Sequence, residues 1–200
     1  MNKQDFENKF WRNYLFIEVE MLEVSKYITF DEKNFDTYSS MLQKIILETG
    51  SEIENVFREL TQLSGNHLRI NDYINPVLSE YPELTSQKVS VNNSYIELIP
   101  FDGWNLAQPS QSLVFWEKYN KIKHNRILNE EEANLENALK CTSALFILEM
   151  YYMKTLYDND DDCAESYPED ESRLFKMDAF PHHARETVID RLVEAAAVLD

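Results

Sequence analysis

Apolar residues recur at three- and four-residue steps along most of the first 157 positions, and that period predicts helices. The first stripe is Phe6, Phe10, Tyr14, Ile17, Met21, Val24 and Ile28, bordered by Glu18, Glu20 and Glu23, with Asp5 as the expected cap. A second helix is expected to start near Asn34 or Asp36, to run through Met41, Ile45, Ile53, Val56, Phe57 and Leu60, and to stop at Ser64-Gly65. Gly50 interrupts that stripe and suits a close approach or a kink. Glu52 and Glu54 lie two apart on it, so they point to different faces and are poorly placed as a catalytic pair. A short helix follows, capped by Asn71 or Asp72 and ended by Pro82.

The texture then changes. Val89, Val91, Tyr95 and Ile96 alternate with polar residues around Asn92-Asn93-Ser94, which predicts a β-hairpin over about 87–100. Two more helices complete the pattern. One spans roughly Ser112 to Arg126. The other carries Leu135, Leu139, Leu145, Phe146, Leu148 and Tyr152, with Asn129 as cap and Glu132 three residues on as in a capping box. The expected fold is mainly α: a helical bundle over 1–157 with a small β-hairpin insertion, an acidic connector over 158–183 and a C-terminal helix over 184–200. The connector carries eight carboxylates between Asp158 and Glu171, which predicts a solvated linker. The C-terminal helix has Val188, Ile189, Leu192, Val193 and Ala196 on one face.

Composition sharpens this picture. Three glycines and six prolines in 200 residues favour long helices over a turn-rich β fold. A net charge of -17 repels phosphate at long range and argues against general coating of DNA or RNA, although a local basic site is compatible with it. No run of apolar residues is long enough to span a membrane, and the N-terminus lacks the apolar run of a signal peptide. Two widely separated cysteines, Cys141 and Cys163, read as reduced thiols in a cytoplasmic protein, with Cys141 a core residue. No convincing metal-ligand set stands in the chain: His182-His183 has no carboxylate or cysteine at ligand spacing, and the acidic run lacks the spacing and glycine of a calcium loop. No cofactor is expected.

Candidate chemistry concentrates in FWEKYNKIKHNR, residues 115–126. At about 100° per residue, Trp116, Tyr119, Asn120, Lys123 and Ile127 share a broad helix face, with Arg126 at one edge and His124 at the other. Asn120 and His124 are four apart and can share a ligand; His124 and Arg126 are two apart and cannot meet on their own helix. A histidine for proton transfer and cations to hold phosphate fit metal-free cleavage of RNA, with the substrate's 2'-hydroxyl as nucleophile. The same residues also fit a structural helix: Trp116, Tyr119 and Ile127 in the core, lysines reaching to water, and Asn120 paired with His124.

The aromatic-rich helix with Asn-x-x-x-His, followed by a long Ala/Leu helix, resembles the HEPN superfamily of small α-helical proteins. It also resembles a group of bacterial proteins carrying W-x-x-Y-N-x-x-K-H-x-R before A-N-L-x-N-A-L. Trp116, Tyr119, Asn120, Lys123, His124 and Arg126 supply the first motif, and Ala133, Asn134, Leu135, Asn137, Ala138 and Leu139 the second. The resemblance to that group covers roughly residues 6–157. The HEPN resemblance implies a ribonuclease in phage defence or toxin–antitoxin modules, with Asn120 and His124 catalytic and Tyr119, Lys123 and Arg126 at the substrate. Tyr119 stands where active relatives have arginine. The resemblance also implies a homodimer, motif helices facing, which would bring His124 of one chain towards Arg126 of the other. Inactive relatives serve as binding modules, so a protein partner is the alternative expectation.

Overall fold

The computed structural model describes residues 1–158, 168 and 170–177. The expected C-terminal helix, most of the acidic connector, Cys163 and His182-His183 lie outside the described residues. The mainly α architecture with a small antiparallel sheet is as the sequence predicts.

The N-terminal stripe forms α1 (Lys3–Phe6), a π-helical turn (Glu7–Trp11) and α2 (Arg12–Ser25). Asn2, rather than Asp5, caps it: the Asp5 amide donates to Asn2 Oδ1 at 2.8 Å. Helix α3 (Ser40–Thr61) starts later than expected, because Ser39 supplies the side-chain oxygen for the Leu42 amide. It ends at Gln62, which adopts a left-handed φ of 52° before Ser64-Gly65 is reached. Helix α4 (Ile70–Glu80) starts after Arg69, whose amide donates to Asp72 at 2.7 Å. Helix α5 (Val114–His124) and helix α6 (Leu135–Asp158) follow the hairpin. Helices α3 and α6 form the main pair, flanked by α2 on one side and α5 on the other. Cys141 is fully buried in α6, where burial pushes its thiol far up from the usual range.

Asn129 does not cap α6. Its amide donates to the carbonyls of Lys121 (3.2 Å) and Asn125 (2.7 Å), closing the end of α5. Asn134 caps α6 instead, through the Asn137 amide at 3.0 Å. The chain between them turns, so Arg126 and Ile127 leave the α5 helix, and Ile127 is 77% exposed rather than core.

The hairpin forms with β1 (Val89–Val91) and β2 (Glu97–Leu98), and Asn93 takes the positive φ of 58° that the turn needs. Ile96 is buried, but Tyr95 points wholly to solvent. A third strand, β3 (Phe175–Lys176), lies within the stretch that reads as connector and pairs antiparallel with β1, giving the order β2-β1-β3. Two things hold it there. Leu174, Phe175 and Met177 are buried. Glu18, only 2% exposed on α2, accepts hydrogen bonds from the Arg173 and Leu174 amides (2.9 and 3.2 Å), from Tyr14 (2.8 Å) and from Ser172. No cation reaches this carboxylate among the described residues; backbone and hydroxyl donors alone satisfy it. Burial, with the Glu18 charge beside it, pushes the Tyr14 phenol well above its usual range, so it stays a donor.

Glu149 on α6 is the opposite case. It is fully buried and neither carboxyl oxygen has a partner among the described residues. Burial, with the Glu52 charge added, pushes its carboxyl well above the usual range.

Two predictions follow from these carboxylates. Glu18→Ala strands the Arg173 and Leu174 amides, leaves the Tyr14 and Ser172 hydroxyls only each other, and should cost about 3 kcal/mol. Amide exchange at Arg173 and Leu174 should rise well before that of α3; unchanged protection there would refute the clamp. Glu149→Gln should stabilise the fold at pH 7, because glutamine is neutral in this site without having to take up a proton. Because the folded-state value is raised, the favourable contribution of protonated Glu149 is complete below the ordinary value of 4.5 and is lost as pH rises through the folded value. The advantage of glutamine should therefore shrink towards pH 4.5, as read by urea unfolding across pH.

Candidate functional site

The site begins with a glycine. A Cβ on Gly50 of α3 would sit 2.3 Å from Tyr119 Cδ2 and 2.4 Å from Cε2, so the Tyr119 ring of α5 rests directly on the α3 backbone. Tyr119 is 2% exposed and Trp116 5%, which confirms the inward face expected of this helix. Trp116 lies 5.1 Å from Tyr119 and edge-on to Phe57 at 6.4 Å, and Phe57 stacks on Tyr73 of α4 at 5.3 Å (ring centroids). These aromatics tie α3, α4 and α5 together.

Above them opens a cleft of about 620 Å3. Helix α5 lines it with Trp116, Asn120, Lys123 and His124, and α3 with Glu54. Arg69 and, from the start of α4, Ile70, Asn71 and Tyr73 line it as well. Lys123 donates to Glu54 Oε1 at 3.0 Å and to the Tyr119 hydroxyl at 2.8 Å, and Tyr119 donates to Glu54 at 3.2 Å. Partial burial works against the Lys123 charge, but the hydrogen bonds to Tyr119 and Glu54 outweigh it and hold the ammonium above its ordinary range. Burial likewise raises the Tyr119 phenol, with Lys123 pulling it down and Glu54 pushing it up. Both groups keep their protons at neutral pH, so neither is a base.

The expected site residues divide. Asn120, Lys123 and His124 share the cleft, and His124 is exposed in it. Asn120 does not pair with His124: its amide donates to the Trp116 carbonyl at 2.8 Å, one turn back on its own helix. Tyr119 lies beneath the cleft instead of lining it, because its ring fills the Gly50 notch. Arg126 opens onto a different hollow of about 520 Å3, beside Lys44 and Glu48 on the first half of α3, because the chain turns away after His124. Within one chain the structure does not bring Arg126 to His124.

Three residues of the cleft escape sequence reasoning. Glu54 is dismissed as a catalytic partner of Glu52, whereas its partners are Lys123 and Tyr119. Arg69 and Tyr73 carry no local signal beyond their place at the start of an amphipathic helix. Arg69 forms no ion pair among the described residues, so it is an unneutralised cation lining the same cleft as His124. Among the described residues no group of three His, Cys, Asp or Glu side chains could hold a metal ion, and no helix is long and apolar enough to cross a membrane.

No protein-family model, curated protein or solved structure matches the chain.

The glycine notch gives a test. In an exposed helix Gly→Ala stabilises by about 1 kcal/mol. Here the added methyl must displace the Tyr119 ring, and Gly50→Ala should destabilise by about 3 kcal/mol. Gly50→Ala combined with Tyr119→Ala should lose less than the sum of the two single changes in denaturant unfolding. Neutral or stabilising behaviour of Gly50→Ala would show that the ring does not sit there.

Proposed function

We propose that this protein is a HEPN-like, metal-independent endoribonuclease of a bacterial defence or stress (toxin–antitoxin) module, acting in the cytoplasm as a homodimer. The observation that carries this reading is the setting of His124. It is exposed in a cleft that Asn120, Lys123 and Arg69 also line, rather than being buried against Asn120. In the proposed reaction His124 takes the proton of the RNA 2'-hydroxyl. The 2'-oxygen forms a bond to phosphorus, the bond to the 5'-oxygen breaks, and that oxygen takes a proton from water. The products are a 2',3'-cyclic phosphate and a 5'-hydroxyl. Arg69 and Lys123 stabilise the charge on the phosphate oxygens. Arg69 takes the part that the family resemblance gives to an arginine at position 119. Arg126 enters only from a second copy across a dimer.

A second reading, a non-catalytic protein-interaction module, has its own support. Tyr119 replaces the family's arginine, and Lys123 already spends its charge on Glu54.

The test is incubation with total RNA in EDTA beside His124→Ala. Cleavage ending in cyclic phosphates should fall at least about a hundredfold in the variant. It should weaken as salt rises, since a small basic patch on an acidic protein holds phosphate by charge. Cleavage that survives His124→Ala sinks the mechanism, and failure to cut any RNA favours the interaction module.

A further inference from the structure

The cleft is lined by one buried side-chain hydroxyl that has no partner among the described residues. Tyr73 is 1% exposed, it lines the cleft, and its hydroxyl makes no hydrogen bond to any described residue. A buried hydroxyl left unpaired costs stability, and such groups are rare in folded proteins. Tyr73 belongs to the first turn of α4, a helix of 11 residues. Ile70 and Asn71, the first two residues of that helix, line the same cleft, and their backbone N–H groups have no intrahelical acceptor. The helix dipole places partial positive charge at that end. Arg69 stands immediately before it, without an ion pair among the described residues, and Lys123 and His124 of α5 line the same cleft.

The carboxylates nearby are already engaged. Glu54 is held by Lys123 and Tyr119. Asp72 accepts the Arg69 amide at 2.7 Å. What remains unanswered on this wall is donors: two amides, a guanidinium and a phenol.

We infer that the start of α4 is a phosphate seat, in which the Ile70 and Asn71 amides, the Arg69 side chain and the Tyr73 hydroxyl bind the oxygens of a phosphate group. The unpaired Tyr73 hydroxyl is the reason to place the ligand here and not at the start of another helix. The ligand chemistry is a phosphomonoester or phosphodiester. The seat rests on the ribonuclease reading only in its use, as the place where a scissile or flanking phosphate would lie opposite His124; anion binding itself does not require that RNA be cut.

The experiment follows amide resonances of the full chain during titration with inorganic phosphate at constant ionic strength, with dimethyl phosphate in a parallel arm. Saturable shifts centred on Ile70 and Asn71 are expected. Tyr73→Phe should weaken binding about five- to tenfold. It should leave stability unchanged or raised, because it deletes an unpaired buried hydroxyl. Arg69→Ala should weaken binding tenfold or more. Binding of both probes identifies a backbone phosphate as the natural ligand, and binding of inorganic phosphate alone identifies a terminal or free one. Absent or unsaturable shifts at Ile70 and Asn71, or Tyr73→Phe binding as tightly as the unaltered protein, overturns the seat. Phosphate bound without RNA cleavage leaves the seat standing and removes the ribonuclease reading; RNA cut with no phosphate response does the reverse.

Discussion

The contact between the Tyr119 ring and Gly50 sets the position of everything around the cleft. A helix normally keeps its neighbours at the distance its side chains impose, about 8–10 Å between axes. The missing Cβ at Gly50 lets an aromatic ring lie on the α3 backbone itself. That contact fixes both the depth and the rotation of α5. With Tyr119 seated, Trp116 falls against Phe57, Lys123 falls beside Glu54, and His124 is left at the edge. The aromatic contacts continue through Phe57 to Tyr73, so the opposite wall of the cleft is referenced to the same point.

Charge on α5 follows from that placement rather than from composition. Each lysine of the helix meets a glutamate: Lys118 with Glu132 at 2.7 Å, Lys121 with Glu117 at 2.9 Å, Lys123 with Glu54 at 3.0 Å. Pairs this exposed add little stability. They do cancel the cationic field that the lysine-rich sequence suggests. In a chain of net charge -17, the cation left among the described residues of the cleft to attract an anion is Arg69, which comes from the residue just before α4 and not from α5. A basic motif in a strip of sequence is therefore a poor guide to a basic surface when acidic residues are plentiful enough to meet it.

Local information carried the helices well. The stripes of α2, α3, α5 and α6 are read directly from their period, as is the hairpin turn at Asn93. The errors fall where a polar side chain had to choose between partners. Asn129 and Asn134 both suit a cap, and the choice of Asn134 depends on Asn129 finding the open carbonyls at the end of α5. That choice also ends α5 at His124 and separates Arg126 from the cleft. Strand β3 was invisible for a related reason. Its short apolar run beside a dense acidic stretch has little strand signal, and its anchor is Glu18, more than 150 residues away on α2. Of the candidate site, the α5 residues Asn120, Lys123 and His124 were legible by helical spacing. Arg69, Tyr73 and Glu54 were not, since nothing in their neighbours tells which helices come together.

The buried polar groups show how one kind of apparent defect can have different meanings. Glu18 sits deep in the protein and is costly to bury, yet four donors converge on it, so its burial organises the chain. Glu149 is equally deep on α6 and meets no donor among the described residues; the neutral acid is the form burial favours, and the packing of α6 carries the cost. Tyr73 also lacks a partner among the described residues, but it lines a cleft together with Ile70 and Asn71 of its own helix. A sealed unpaired group can only be tolerated. One that borders a cleft can be satisfied by whatever enters, and the free energy withheld in folding is then available to binding. Access, more than burial, separates a structural liability from a recognition element, and by that criterion the wall of α4 is the part of this molecule that the fold leaves incomplete.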